Sequence, residues 1–388
     1  MAMNPFVWDR PLDDLTKIVG MDDFARDVAL MLKAQTNVAI FGARDTGKST
    51  FISVLGRELA LEHEADAPPY TMVRVDLKRA LSIAAFISCV NEALKEHPEQ
   101  AIRRAAAREL EVLEREIGFD LKVIKGAVRR GARQSEEAAE MLHAQLRMLP
   151  RLAGHVVVCF DEFQRLNRCP GEPLAIIGSA LVGSGAGNVS LLLTGSTREY
   201  LEMMLNNSRE PLFNQAFKAR LPQIGRAEFH EFLAFQFEAT GREIAERALD
   251  YLLAVSQAHP KRTQQLAWAT WRQRTRGPLD VAAVQSAFEE LMDDQQADFA
   301  VIEETLANGE ESEATERKVL YLLADHPDQG LTGTKLAERY GLGAHTTAKK
   351  AMPRLARRGL VERTGKDRWQ IIDPFLAEWL RQNSPFGE

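Results

Sequence analysis

The sequence predicts an α/β fold in which a parallel sheet core is followed by an all-helical lid and a winged helix-turn-helix domain. Three observations favour this fold. Short β-like runs alternate with helical patterns as far as residue 225, which is typical of a parallel sheet covered by helices on both faces. The run HVVVCF is apolar without alternation, as expected for a central parallel strand. Beyond residue 225 the strand signals stop and amphipathic helices continue to about residue 307.

The elements follow one another in a consistent order. An amphipathic helix is expected over 21–34, and the segment 91–148, rich in Ala, Glu and Arg, is expected to be a helical elaboration between two strands. The predicted strands span 38–41, 71–77, 155–160 and 189–194, with a weaker signal over 219–224. The polar stretch NGEESEA is a candidate linker. The expected domains are a core over 1–225, a helical lid over 226–309 and a winged helix-turn-helix domain over 310–388.

The composition indicates a soluble protein of a reducing compartment. The 388 residues are 45% hydrophobic and 27% charged, which is enough to build a large core. The three cysteines are far apart and form neither a disulfide framework nor a metal-binding spacing. The sequence shows no secretory signal and no apolar run near the ~20 residues that cross a bilayer. We therefore expect a cytoplasmic protein without a membrane partner.

A phosphate-binding loop is predicted where the first strand meets the next helix. The pattern G-x-x-x-x-G-K-[ST] is met by Gly42, Gly47, Lys48 and Ser49. Glycines let backbone N–H groups surround phosphates, and the helix N-terminus favours an anion. Lys48 supplies a charge for the β and γ phosphates, and the Ser49 hydroxyl is expected to ligate Mg²⁺. The alternative is an ordinary glycine turn. The predicted nucleotide-binding loop comprises Gly42, Ala43, Arg44, Asp45, Thr46, Gly47, Lys48, Ser49 and Thr50.

Acidic and hydroxyl side chains follow the next two buried strands. In VVVCFDEF, Asp161 is placed to hold Mg²⁺ directly or through water, and Glu162 is placed to polarise an attacking water. The alternative is a solvated acidic turn. In VSLLLTGST, Ser196 is a candidate contact for the γ-phosphate or the water, and the alternative is a helix cap before Arg198. Glu162, Lys48 and Ser196 are thus the candidate catalytic residues, with ATP and Mg²⁺ as the expected cofactors.

The C-terminal residues have the order of elements of a winged helix-turn-helix. Three helical patterns, including TGTKLAERYG and AHTTAKKAMPRLARRG, precede LVERTGKDRWQII, which reads as two short strands. Residues 345–368 hold eight basic and two acidic residues, a net charge of +6 in a chain of net charge −6. Such a local reversal of charge suits the phosphate backbone of double-stranded DNA.

Helix three would meet base edges near its start if it enters a major groove. Winged helices also bind proteins, however, and Pro353 falls inside this helix, where its missing N–H leaves one carbonyl without its usual partner. The candidate DNA-binding residues are His345, Thr346, Thr347, Lys349, Lys350, Arg354, Arg358, Lys366 and Arg368.

The motifs together resemble those of a known family. NPFVWDRPLDDLTKIVGMDDFARDV, the P-loop, VVVCFDEFQRL, LLLTGST and HPKRTQQLA occur in this order. In that order they resemble the archaeal-type ATPases of the STAND and AAA+ P-loop lineage, which are related to the origin-recognition ATPases. The resemblance implies an AAA+-like core, Val19 and Gly20 near the adenine, and Pro260 and Arg262 in the lid. It also implies that Arg262 or Lys261 reaches back to the nucleotide, whereas the alternative for both cations is a solvated helix end.

The resemblance also implies what the protein does. The first hypothesis is an ATP-binding and hydrolysing switch that couples nucleotide state to DNA binding. The alternative is a STAND-type signalling or defence ATPase whose winged helix binds a protein effector. A metabolic P-loop enzyme is a third reading, and the family leaves a homo-oligomer open. The family often has an arginine where this chain has Met21, and another near Asn214, to which Arg209 and Arg220 are only neighbours. We therefore expect slow hydrolysis without a partner.

Overall fold

The computed structural model describes residues 3–10, 12, 18–61, 70–117, 133–182, 187–196, 198–307, 311–327, 338–342, 345–365 and 368–386. The chain divides into two compact units. The sheet unit comprises Asp22–Gly42 and Phe51–Pro222. The P-loop unit comprises Met1–Met21, Ala43–Thr50 and Gln223–Glu388.

The first part of the chain alternates helices and strands, as its sequence predicts. Its helices are α1 (Asp22–Lys33), α2 (Lys48–Leu61), α3 (Ile83–Lys95), α4 (Gln100–Ile117), α5 (Arg133–Met148), α6 (Pro173–Leu181) and α7 (Arg198–Asn206). Its strands are β1 (Val38–Phe41), β2 (Tyr70–Asp76), β3 (His155–Asp161), β4 (Val189–Gly195) and β5 (Phe217–Arg220).

The five strands form one parallel sheet in the order β2-β3-β4-β1-β5. The predicted α/β fold with a parallel sheet core is therefore confirmed. The pairing register sets Asp76 beside Asp161 and Phe41 beside Gly195. The carboxyl ends of β1 to β4 consequently lie along one edge of the sheet, which we call the carboxyl edge. The last strand of the sheet was expected over 219–224, but β5 spans Phe217–Arg220.

Burial explains why the strand signals differ in strength. All seven residues of β3 and all seven of β4 are buried, because helices cover both faces of the central strands. No residue of β5, at the end of the sheet, is fully buried. An edge strand buries fewer side chains, so its sequence carries a weak pattern and its bounds are hard to predict.

The helical elaboration belongs to the core of the sheet unit. The buried cluster around β3 includes Ile102 and Ala106 of α4 and Met141 and Leu142 of α5. The α3 helix begins after Ser82, whose side chain accepts a hydrogen bond from the Ala85 N–H at 3.2 Å. Residues 118–132 of the elaboration lie outside the described residues.

The P-loop unit continues in helices and ends in a hairpin and a helix. The helices are α8 (Arg226–Ala239), α9 (Glu246–Val255), α10 (Pro260–Arg272), α11 (Val281–Ala307), α12 (Glu311–Asp325), α13 (His345–Arg358) and α14 (Pro374–Gln382). The strands β6 (Val361–Gly365) and β7 (Arg368–Ile371) pair antiparallel. None of the described helices is long and apolar enough to cross a membrane.

Aromatic contacts hold the last helix against α11. The rings of Phe288 and Phe375 lie 5.0 Å apart, and those of Phe299 and Trp379 lie 6.2 Å apart. Most of the second helix of the predicted winged helix, residues 328–337, lies outside the described residues. The winged helix and the three-domain division therefore stay predictions.

Candidate nucleotide site

The P-loop has the conformation that its glycine pattern predicts. The chain leaves β1 at Phe41 and enters α2 at Lys48. Gly47 has a φ of +92°, and a Cβ atom there would lie 2.7 Å from the Met21 side chain. A residue with a side chain would be strained by this conformation and would have to displace the end of the Met21 side chain. Within the loop, the Thr46 hydroxyl donates a hydrogen bond to the Ala43 carbonyl oxygen at 2.8 Å.

The Lys48 side chain folds back, so that its ammonium group lies over the loop. Its side chain is buried, and Nζ donates a hydrogen bond to the Ala43 carbonyl oxygen at 2.6 Å. The positive charge is thus held beside the loop backbone. The glycines of this loop allow its N–H groups to turn towards a bound phosphate. This is the arrangement that a P-loop needs in order to attract a phosphate.

Asp161, at the carboxyl end of β3, is held by three donors. Its Oδ1 accepts hydrogen bonds from the Thr194 hydroxyl at 2.6 Å and from the Glu162 N–H at 3.0 Å. Its Oδ2 binds Arg74 of β2 at 2.6 Å. Thr194 is the last but one residue of the neighbouring strand β4, and the register pairs Phe160 with Leu193, so the parallel pairing itself brings these groups together.

The donors keep Asp161 ionised although it is buried. Burial by itself would raise the pKa of Asp161, but the charge of Arg74 and the hydrogen bonds from Thr194 and Arg74 lower it below its usual value. The net result is a buried carboxylate with a fixed orientation. Hard oxygen ligands of this kind suit Mg²⁺, so the residues present fit the predicted metal.

Glu162 and Ser196 are linked by a third side chain. Glu162 has a φ of +58°, and its Oε2 accepts a hydrogen bond from Gln164 Nε2 at 2.6 Å. The same nitrogen donates to the Ser196 hydroxyl oxygen at 2.9 Å. Two of the predicted catalytic residues of the sheet unit therefore share one amide.

Sequence reasoning missed both Arg74 and Gln164. Arg74 is a basic residue within the apolar strand YTMVRVD, which was a signal that its charge must have a partner. Gln164 stands two residues after Glu162, in the short 3-10 helix Phe163–Arg168. Its place in the sequence does not predict that its side chain turns back towards Glu162.

Each of the two cations predicted to reach the nucleotide forms an ion pair with an aspartate. Lys261 Nζ forms an ion pair with Asp45 Oδ2 of the P-loop at 2.9 Å. The Nε of Arg262 donates to Asp373 Oδ1 at 2.8 Å, and its Nη2 binds Asp373 Oδ2. Asp373 caps α14, so Arg262 joins the start of α10 to the start of α14.

The remaining lid and adenine candidates have local structural roles. His259 caps α10 by accepting a hydrogen bond from the Arg262 N–H, and Pro260 occupies the first turn of that helix. Gly20 has a φ of +66°, and a Cβ atom there would lie 2.6 Å from the Glu228 carboxylate of α8. Val19 precedes it and is half-buried.

The candidate DNA-binding residues divide into two groups. Arg354 Nε and Arg358 Nε bind the two carboxylate oxygens of Glu316, a residue of α12 that is only 1% exposed, at 2.6 Å and 2.9 Å. Lys349, Lys350 and Arg368 are instead exposed. His345, Thr346 and Thr347 lie in the first turn of α13, and Lys366 lies outside the described residues.

The P-loop also contacts the end of α13 within its own unit. Gly359, with a φ of +75°, follows that helix, and a Cβ atom there would lie 3.3 Å from Arg44 Cδ. No motif in the sequence predicts that these two residues are neighbours.

Comparison with solved structures identifies the fold. The Walker-type ATPase PABY2304 of Pyrococcus abyssi matches with a TM-score of 0.65 and 16% sequence identity, over 96% of this chain and 99% of that one. The ORC2 protein of Aeropyrum pernix, in its ADPNP–ADP complexes, matches with a TM-score of 0.56 and 16% identity, over 97% of this chain and 98% of that one.

Sequence comparison alone adds nothing to this likeness. No protein-family model and no curated protein sequence matches the chain. At 16% identity the similarity to the two solved structures concerns the fold. Along nearly its whole length, the chain has the P-loop ATPase fold seen in PABY2304 and ORC2.

Proposed function

We propose that the protein binds and hydrolyses ATP. The observation that carries the proposal is the P-loop itself, in which Gly47 permits the turn and the buried Lys48 ammonium lies over the loop. The carboxylates of Asp161 and Glu162 at the carboxyl edge supply the second requirement of such an enzyme. The likeness of the fold to a Walker-type ATPase and to the ORC2 protein in its ADPNP–ADP complexes supports the proposal.

Each side chain has a distinct role in the proposed reaction. Lys48 binds the β and γ phosphates, and the N–H groups of 42–49 surround them. Ser49 and Asp161 hold Mg²⁺, which offsets the negative charge of the phosphates when bound. Glu162 accepts the proton of the attacking water, and Ser196 contacts the γ-phosphate or that water.

The hydrogen bonds of Asp161 leave room for a metal. A carboxylate offers about four lone-pair positions, and three donors reach Asp161 from the described residues. The remaining position is on Oδ2, the oxygen that Arg74 also binds. Asp161 can therefore take a metal or its water ligand while keeping its orientation.

Nucleotide binding and phosphate release by two variants test this proposal. Lys48→Ala is expected to weaken ATP binding on the order of 100-fold, because it removes a buried charge from the phosphates. Glu162→Gln is expected to bind ATP normally and to release phosphate about 10²–10⁴-fold more slowly. Equilibrium binding of a fluorescent ATP analogue and a phosphate-release assay give the two readouts.

Glu172→Gln is the matched control for Glu162→Gln. Glu172 also has a positive φ, of +56°, and precedes a helix, but its side chain is exposed. This control should hydrolyse ATP like the unchanged protein. Unchanged hydrolysis by Glu162→Gln would remove Glu162 from the mechanism, and no ATP binding by the unchanged protein would overturn the proposal.

We propose further that the C-terminal elements bind double-stranded DNA and that the nucleotide state controls this binding. The exposed cations Lys349 and Lys350 of α13 and Arg368 of β7 support the proposal. Arg354 and Arg358 already bind Glu316, so the proposal gives them the role of holding α13 to α12. The contact of Arg44 with Gly359 supports a link between the P-loop and this region.

Fluorescence anisotropy across a salt series tests DNA binding. Lys349→Ala/Lys350→Ala should weaken binding and lower the slope of log affinity against log salt by about 2, because two phosphate contacts are lost. The charge-matched control is Arg104→Ala/Arg108→Ala, on the exposed face of α4. Mg-ATP should change the affinity of the unchanged protein. The absence of DNA binding in every nucleotide state would contradict the proposal and favour a protein effector.

A further inference from the structure

The Gln164 amide is the one group that touches both candidate catalytic side chains of the sheet unit among its described residues. Its Nε2 lies 2.6 Å from Glu162 Oε2 and 2.9 Å from Ser196 Oγ. An amide nitrogen carries two hydrogens, so these two bonds use its whole donor capacity. Through these two hydrogen bonds, Gln164 sets the distance between the Glu162 carboxylate and the Ser196 hydroxyl.

The position of Gln164 is set by buried neighbours. Its short helix, Phe163–Arg168, turns Phe163 and Leu166 into the core, and the Phe163 ring lies 6.2 Å from that of Phe160 on β3. The Gln164 backbone is thus anchored to the strand that carries Asp161. Glu162, between the strand and this helix, has a left-handed φ of +58°. A non-glycine residue keeps such a conformation only when the surrounding structure requires it.

The other end of the amide is shielded but has no partner. Gln164 Oε1 is buried and accepts no hydrogen bond from the described residues. It fills the space in front of Gly195, where a Cβ atom would lie only 2.5 Å from it. Leaving a buried acceptor unpaired is unfavourable, so packing alone does not account for glutamine at this place. A side chain of the same shape without polar atoms would fill the space equally well.

We propose that Gln164 is a positioning residue, which holds the Glu162 carboxylate and the Ser196 hydroxyl in register for ATP hydrolysis. It binds Oε2 of Glu162, which assigns Oε1 to the attacking water. Gln164 itself touches neither substrate nor metal and acts through Glu162. The proposal rests on the proposed ATPase activity, and its test separates the two.

The main test compares Gln164→Met, Glu162→Gln and the double variant in the phosphate-release assay. Methionine has nearly the shape of glutamine but donates no hydrogen bond. Gln164→Met should lower kcat about 10–100-fold, with the KM for ATP and the ATP dissociation constant changed less than about 2-fold, because only orientation is lost. Combined with Glu162→Gln, it should cause much less further loss than it does in the unchanged protein, because the Glu162 carboxylate is already gone and only the hydrogen bond to Ser196 is left to lose.

Ser196→Ala and Gln164→Glu complete the test. Ser196→Ala removes one of the two hydrogen bonds of Gln164 together with the proposed contact of Ser196 with the γ-phosphate or the water, and it should also lower kcat. Gln164→Glu keeps the shape but sets a second carboxylate against Glu162, and it should lower kcat at least as much as methionine does. This variant also decides the question if Gln164→Met does not fold, which a thermal melt reveals.

The outcomes distinguish the positioning role from the ATPase proposal. If Glu162→Gln abolishes turnover while Gln164→Met and Gln164→Glu both retain it, the positioning role is wrong and the ATPase proposal stands. If the losses of Gln164→Met and Glu162→Gln multiply in the double variant, Gln164 does not act through Glu162. If Glu162→Gln itself keeps full turnover, the proposed role of Glu162 fails first.

Discussion

Arg74 and Arg262 form the same chemical pair in two different regions of the molecule. Arg74, on β2 of the sheet unit, binds Asp161 at the carboxyl edge. Arg262, at the start of α10 in the P-loop unit, binds Asp373 at the start of α14. The Arg74 side chain is 32% exposed and that of Arg262 is 8% exposed. The difference in burial gives the two pairs different tasks.

Arg262 is fixed by several partners at once. Its Nη1 donates to Gln265 Oε1 at 2.6 Å and to Gln295 Oε1, while Nε and Nη2 bind Asp373. Its guanidinium also lies over the rings of Phe299 and Phe375. Four of the five guanidinium hydrogens thus have acceptors, so a nucleotide contact through Arg262 requires some of these bonds to break.

Among the described residues, Arg74 forms an ion pair with Asp161 alone, and its effect on that carboxylate is electrostatic. The Asp161 pKa is lowered by Arg74, and a carboxylate of this orientation is what the proposed metal needs. A buried arginine with several partners, such as Arg262, holds elements together, whereas the half-buried Arg74 adjusts the electrostatics of the buried carboxylate it binds.

Arg262→Ala should lower the free energy of unfolding by about 3–5 kcal/mol, because it leaves the Asp373 carboxylate and two glutamine oxygens without their donor. Urea unfolding followed by circular dichroism measures the loss without any nucleotide. Arg272→Ala is the control, because Arg272 is exposed and lies over the Trp268 ring at 4.5 Å. It should cost less than about 1 kcal/mol. A similar cost for both variants would contradict the structural role of Arg262.

Acid should destabilise the P-loop unit through His259. Burial lowers the pKa of His259 from 6.5 to about 4, an effect that Asp373 and Asp45 oppose and Arg262 and Lys261 reinforce. Between these two pH values the unfolded chain binds the proton and the folded chain does not. Stability is therefore unaffected above pH 7 and falls as the pH drops from 6.5 towards 4, by about 2 kcal/mol.

The variant His259→Asn isolates this effect. Asparagine also caps helices well but does not titrate, so the free energy of unfolding of the variant should decline less between pH 7 and pH 5 than that of the unchanged protein. The decline that is left comes from groups such as His97 and His155, whose pKa values burial also lowers. Parallel declines in both proteins would assign the acid sensitivity to another group.

These expectations show what the sequence allowed and what it did not. The P-loop, Asp161 and Glu162 could be named as candidates because each belongs to a short, contiguous motif in which the residue types themselves indicate the chemistry. The fold was predictable because buried parallel strands such as β3 have a strong apolar signal. Arg74 and Gln164 escaped because their roles depend on which neighbour the register and a short turn bring within reach. Arg262 was assigned from its place in a motif, whereas Asp373 lies 111 residues further along the chain.

Arg74→Met should have a moderate effect, about 1–2 kcal/mol, because Asp161 keeps the hydrogen bonds from Thr194 and the Glu162 N–H. The lowered Asp161 pKa contributes stability that is present above the unfolded pKa, near 3.8, and is lost as the pH falls through the lower folded pKa. The difference between variant and unchanged protein should thus persist at neutral pH and shrink below about pH 4. Unfolding midpoints at pH 7 and pH 3.5 measure it, and a difference that grows in acid would refute the pairing.

The smallest effect is expected for the pair of Lys261 with Asp45, which resembles that of Arg74 but lies nearer to solvent. The Lys261 side chain is 32% exposed and that of Asp45 is 55% exposed. Burial raises the Asp45 pKa, but the hydrogen bond and charge of Lys261, with His259 and Arg262, lower it overall. Lys261→Met should cost less than about 1 kcal/mol in free energy of unfolding, and added salt should remove most of that difference because exposed charges are screened. If Lys261→Met instead destabilises the protein as much as Arg262→Ala, and salt leaves the loss unchanged, exposure is not what separates the two kinds of pair.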